Sequence, residues 1–407
     1  MALPGWIDAA RRAVGARLSA LDRRARRLLL GDDLDRDDGR CRLAPEWLVL
    51  VLNNTCNLHC RMCDVGIGEE GSVFWTHMIG PDPRNMANDL FAEMLAQAAR
   101  FRPRPRLGFA FTEPLLHPRI VELCRAAKER GFHVAITTNG WRLRELAPAL
   151  VAAAVDEITV SVDGPEDVHD AVRGRAGSFR RLCEGIAAID AERSVRQTRA
   201  GRRGALPRVR VSYTITDRNA TAMAATVRAL APLRPDSFCF AHLSFVSAAM
   251  AAAHNATWGA TLPVARSNLG EMDLERLDLE ALGAALAELD GLAASEPDLP
   301  PITVVPRLAR PAALRTYYQE PQTFIGGRRC TDPWRLLMVR SDGTAVLAHS
   351  RCYDVPLGNL TATPLTELWN ADPARGLRRT LAAAGGTLPA CARCCGVVGK
   401  PAGEAAR

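Results

Sequence analysis

The chain is poor in lysine. Of its 52 basic residues only Lys128 and Lys400 are lysines, and the rest are arginines scattered along an Ala-rich chain. The formal net charge of +7 therefore forms no stripe that would track a phosphate backbone, and nucleic acid is not an expected partner. No run of about 18 uninterrupted apolar residues occurs, so no membrane span is expected, and the N-terminus lacks a basic-then-apolar leader with a small-residue cleavage site. The twelve cysteines in 407 residues are too sparse for a secreted disulfide framework. Most fall into two clusters with short, ligand-like gaps, which fits a reducing, cytoplasmic setting. No fixed-period repeat is present, which excludes a solenoid.

What is present is alternation. Residues 1–45 read as a basic helical arm, with Leu3, Ile7, Ala10, Val14, Leu18, Leu21, Ala25 and Leu28 at three- and four-residue spacing, docked on its own protein. From residue 47 the strand-like runs "WLVLVLN", "RLGFAF", "HVAITTN", "EITVSVD", "RVRVSYTIT" and "SFCFAHLSFV" are separated by helical stretches. Parallel neighbours need helical crossovers, so six such units over 46–246 predict an α/β fold, a partial (β/α)6 TIM-type barrel. A connecting segment follows over 247–326. Residues 327–400 read as a small Cys-rich α+β domain, with "LLMV" and "TAVLA" flanking the turn "RSDG", and 401–407 is a tail.

The stretch "CNLHCRMCD" places Cys56, Cys60 and Cys63 on the loop after the first strand, at the barrel end where chemistry collects. A structural zinc wants four ligands, and the neighbouring candidate, His59, adjoins Cys60 and would need a chain reversal to reach the same ion. A cubane iron–sulfur cluster accepts three thiolates and leaves its fourth iron open to an outside ligand.

Here the sequence resembles the radical S-adenosylmethionine (SAM) enzymes, whose signature is Cys-x3-Cys-x2-Cys after the first strand of a βα barrel. The resemblance runs over about residues 47–245. It implies a catalytic 4Fe–4S cluster on Cys56, Cys60 and Cys63, with SAM chelating the open iron. Reductive cleavage would give a 5′-deoxyadenosyl radical that abstracts a substrate hydrogen. "FTEPLLHP" resembles the family's Gly-Gly-Glu-Pro motif and gives Glu113 the methionyl ammonium, although Phe111 and Thr112 stand where the family has glycines. "TTNG" offers Asn139 to the cosubstrate. "SVDGPEDVHDAVRG" offers Ser161 and Arg173 to its carboxylate and ribose, and the backbone of Met62, where the family often has an aromatic residue, to adenine. The resemblance also implies an electron donor of the flavodoxin or ferredoxin type.

The C-terminal segment resembles the SPASM or twitch extension of these enzymes. It implies a second, auxiliary 4Fe–4S cluster on Cys330, Cys352, Cys391 and Cys394, with Cys395 as substitute, for electron transfer. Ala348 stands where a full SPASM pattern has cysteine. Four thiolates also suit zinc. The expected substrate is a small polar natural product of sugar or aminocyclitol type. The alternatives are a peptide, as for a maturase of ribosomally made peptides, and, from another class, a zinc-binding scaffold or regulator. His242, Asp163 and Asp217 are further candidates for substrate contact, and the loop 65–86 for a lid.

Overall fold

The computed structural model describes residues 33–79, 82–200, 206–308, 310–325, 329–347 and 353–398. The helix expected over residues 3–28, and Cys352, lie outside the described residues.

Among the described residues ten strands form one sheet: β1 (Trp47–Leu50), β2 (Arg106–Phe109), β3 (Val134–Thr138), β4 (Glu157–Ser161), β5 (Arg208–Ile215), β6 (Ser237–His242), β7 (Ile302–Val305), β8 (Leu336–Val339), β9 (Thr344–Leu347) and β10 (Pro356–Asn359). Their order is β10-β9-β8-β1-β2-β3-β4-β5-β6-β7. Pairing is parallel from β8 through β7, and the β8–β9 and β9–β10 pairs are antiparallel. No β7–β10 pair is present among the described residues, so the parallel core is a barrel left open, as expected. Beyond the six expected strands, β7 forms from "ITVV" and extends one side.

Helices cross over between strands, α1 (Asp64–Ile67), α2 (Val73–Met78), α3 (Asn88–Ala98), α4 (Ile120–Glu129), α5 (Leu143–Ala152), α6 (Glu166–Arg173), α7 (Ser178–Ala200), α8 (Met223–Leu230), α9 (Ala248–Trp258), α10 (Leu279–Ser295) and α11 (Pro311–Gln319), and α12 (Leu365–Leu368), α13 (Asp372–Ala383) and α14 (Cys395–Val398) follow β10. In α4 the apolar residues Ile120, Leu123, Cys124 and Ala127 are buried at helical spacing, which lays one face on the sheet.

Each strand shows which of its faces the helices cover. On β5, Val209, Val211, Tyr213 and Ile215 are buried while Arg208 and Arg210 are exposed and Ser212 and Thr214 half-buried. The helices cover the apolar row, and the polar row faces the barrel lumen. The same polar row continues through Thr137, Thr159, Ser161, Ser237 and Cys239 on the paired strands. On the β1 side the lumen is filled instead. Val49, Val51, Met338 and Val346 pack there against Phe74 and Met78 of α2, so α2 fills this side of the barrel.

The Cys-rich segment forms no separate sheet. β8 pairs with β1 along its full length, Trp47 opposite Leu336 to Leu50 opposite Val339. Residues 33–45 rest on this segment rather than on the barrel helices. Asp33 O accepts from Trp334 Nε1, Leu43 O from Trp369 Nε1, and Cys41 exchanges two hydrogen bonds with the Asn370 side chain.

Candidate functional site

The loop carrying Cys56, Cys60 and Cys63 is held by backbone from two other segments. His59 and Arg61 N–H groups donate to Arg173 O and Val172 O at the end of α6. Glu271 N–H donates to Arg61 O, and both carboxylate oxygens of the fully buried Asp64 accept from Asn268 N at 2.9 Å. Two glycines allow this approach. At Gly174 (φ +65°) a Cβ would lie 2.4 Å from His59 O, and at Gly270 (φ +51°) 2.2 Å from Arg61 O, so both positions need glycine for conformation and for space.

Burial pushes the Cys56 thiol up to about 12 and the Cys60 thiol up to about 11. The sulfurs stay protonated until a metal displaces their protons. The groups around them suit thiolates: Arg173 Nη1 lies 3.6 Å from Cys60 Sγ, and Asn139 Nδ2 lies 4.0 Å from Cys56 Sγ. Among the described residues no three His, Cys, Asp or Glu side chains converge on one ion position. Three thiols on one loop, with Arg173 and Asn139 donors beside two of them, suit a 4Fe–4S cluster, which takes three thiolates and leaves its fourth iron to an outside ligand.

Glu113 is buried beside this loop. Its Oε1 accepts from Leu115 N at 2.9 Å and Thr138 Oγ1 at 2.8 Å, and its Oε2 from Asn139 N at 2.7 Å. Desolvation raises its carboxyl, and these three donors oppose that shift. A carboxylate has about four acceptor sites, so one remains for a ligand donor. Phe111, in the place of a glycine, takes φ +83°, and its ring meets Phe74 of α2 with centroids 5.7 Å apart. Asn139 also donates to Asn57 Oδ1 at 2.8 Å. Ser161 lies half-buried on the luminal row, and the Met62 side chain is in the core.

In the C-terminal segment Cys330 and Cys391 are buried and Cys394 and Cys395 half-buried. Cys391 and Cys394 flank Arg393. The buried Arg393 guanidinium donates to the carbonyls of Thr316, Tyr317, Glu320, Thr323 and Ala392, which fastens "CARCC" to the C-terminal end of α11. The Tyr353 hydroxyl lies 3.4 Å from Cys391 Sγ.

Residues 50–195 match the Radical SAM superfamily model, and residues 330–395 match the SPASM iron–sulfur cluster-binding domain. This chain carries a radical SAM domain and a SPASM domain. Radical SAM domains hold a 4Fe–4S cluster and SAM, SPASM domains hold further iron–sulfur clusters, and the family's members are enzymes of redox-type radical reactions. Over 120 residues the chain is 32% identical to the tungsten-containing aldehyde ferredoxin oxidoreductase cofactor-modifying protein of Pyrococcus furiosus, covering 29% of this chain and 31% of that protein. Over 150 residues it is 29% identical to GTP 3′,8-cyclase of Limosilactobacillus fermentum, covering 36% and 42% respectively. The chain thus spans less than half the length of these curated relatives. In fold it resembles Streptococcus suis SuiB bound to precursor peptide SuiA, with TM-score 0.58 and 15% identity over 84% of this chain and 68% of that one. It also resembles anSMEcpe with bound AdoMet, with TM-score 0.55 and 14% identity over 82% and 79%.

Within the radical SAM barrel, several candidates stand elsewhere than their sequence positions suggest. His242 does not face the lumen. It lies in the helix layer, with Nδ1 2.7 Å from Tyr318 Oη, and burial pushes it down to about 3. Asp163 is fully buried and holds Arg173, with Oδ2 2.5 Å from Nε. It orients the guanidinium toward Cys60 and does not open to substrate. Asp217 accepts from Asp273 N at 3.3 Å, where the segment 264–273 crosses the barrel mouth. That strap, with Asp64, Asn268 and Gly270, escaped the sequence reading. The only visible signal was an acid directly after the third cysteine.

Proposed function

We propose that this protein reductively cleaves SAM and uses the resulting adenosyl fragment to abstract a hydrogen atom from a small polar natural product, with the SPASM centre serving electron transfer. The observation that carries this reading is the cradle around Cys56, Cys60 and Cys63, a three-thiol loop at the barrel mouth that backbone from other segments holds at His59, Arg61 and Asp64. When bound there, a 4Fe–4S cluster with SAM supplies one-electron cleavage of the sulfonium carbon–sulfur bond and hydrogen-atom abstraction.

The chain's own residues do the rest. Glu113, oriented by its three donors, offers its remaining acceptor site to the methionyl ammonium. Arg173 is held by Asp163 on one edge and keeps further N–H donors for the cosubstrate carboxylate. Asn139 ties the cysteine loop to the end of β3, and Ser161 meets the ribose from the luminal row. The plug of α2 confines substrate to the β3–β6 half, where Thr137, Thr159, Ser212 and Ser237 offer hydroxyls. This wall supports a substrate rich in hydroxyl or amino groups.

A peptide substrate is the second reading. It is favoured by the likeness to SuiB, which was solved with a precursor peptide. The test is anaerobic loading with iron and sulfide, then dithionite and SAM, with deuterated sugars, aminocyclitols or peptides as candidates. Deuterium in 5′-deoxyadenosine identifies the substrate class. A protein that binds stoichiometric zinc and leaves SAM intact would sink the reading.

A further inference from the structure

Cys391 Sγ has a buried hydroxyl beside it that neither the domain match nor the cysteine pattern assigns a role. Tyr353 is 5% exposed, and its Oη lies 3.4 Å from the sulfur. A cysteine that binds a metal has no proton to give, so with Cys391 as ligand the tyrosine must be the donor. The phenol is also braced from behind. Its ring stacks on His254 of α9, with centroids 5.9 Å apart and planes 24° apart.

His254 is itself fixed, because its Nε2 lies 2.8 Å from Leu262 O. A carbonyl can only accept, so Nε2 carries the proton and the tautomer is set. His254 is fully buried, and burial lowers its pKa, so the ring is neutral. A segment lying between barrel and SPASM domain in the sequence therefore places a hydroxyl on a SPASM sulfur.

We propose that Tyr353, positioned by His254, is a tuning residue of the SPASM centre, whose hydroxyl donates to Cys391 Sγ and raises the centre's reduction potential. Hydrogen bonds to cluster sulfurs stabilise the more negatively charged reduced state, and outer partners of this kind orient and tune a metal site. The inference rests on the reading of the C-terminal thiols as an iron–sulfur site and goes beyond it by naming what sets the site's potential.

The experiment uses the full chain loaded anaerobically with iron and sulfide, titrated against a redox mediator series and followed by electron paramagnetic resonance. In Tyr353→Phe the ring and its stacking persist and only the hydroxyl is lost. The SPASM centre should then move to a more negative potential and lose an exchangeable-proton coupling, while the Cys56–Cys60–Cys63 centre and the iron count stay unchanged. His254→Leu keeps the hydroxyl but frees the ring, and should move the same centre part of the way in the same direction. An unmoved SPASM potential in Tyr353→Phe with iron intact overturns the proposal alone, and so does an equal shift of both centres. A wild-type protein holding far fewer than about eight irons per chain overturns the underlying reading and the proposal with it.

Discussion

Asp163 and Arg173 form a buried ion pair whose second task is to aim a guanidinium at Cys60. Removing one member of such a pair leaves the other charge uncompensated, so Asp163→Ala should destabilise the metal-free protein by about 3–5 kcal/mol in denaturant unfolding. Asp163→Asn, which can still accept from Thr214 N, should cost less. The SPASM thiols allow a count. Cys391→Ala should lose roughly four of about eight irons. If Cys394 is the ligand, Cys395→Ala should lose none, and iron analysis of the two variants decides between the adjacent sulfurs.

Among the elements, the strap 264–273 holds the cysteine loop by main-chain contacts. Gly270→Ala adds a methyl group 2.2 Å from Arg61 O at a left-handed position. Lifting the strap should lower stability by about 1–3 kcal/mol and speed loss of iron to a chelator, measured by absorbance. The sequence revealed β1 to β6, the β8–β9 hairpin and the longer helices α3, α4, α5, α7, α8 and α10, because their apolar residues repeat with period 2 or near 3.6. α4 and α5 lie within two residues of the spans 118–130 and 143–154 that the periodicity predicts. It did not reveal α6 or α9. The first is only eight residues long and half charged, "EDVHDAVR", its apolar face reduced to Val168, Ala171 and Val172, and the second is mostly alanine with no marked apolar stripe. The cysteine motif was legible as a local spacing. The strap was not, because Asp64 and Asn268 meet across 204 residues and nothing local marks that pairing.

At the scale of the molecule, histidines held neutral inside the fold couple its stability to pH. Burial pushes His169 and His242 down to about 3 and lowers His117 and His254 from the ordinary 6.5. Between those values the unfolded chain binds more protons than the folded one, so stability is full above about pH 6.5 and falls as pH drops toward 3. The slope should be on the order of 1 kcal/mol per pH unit for each such histidine, visible as a falling denaturation midpoint from pH 7 to pH 5. Acid storage should therefore harm even the metal-free protein.

The pairing of β8 with β1 bears on how the chain can be divided. A fragment ending before residue 327 would leave the strand that feeds the cysteine loop with a bare row of amide and carbonyl groups, an invitation to self-association. Barrel and appendage are in that sense one inheritance. Exchange of the C-terminal region between homologues should succeed only where the donor brings a strand that fits this seam.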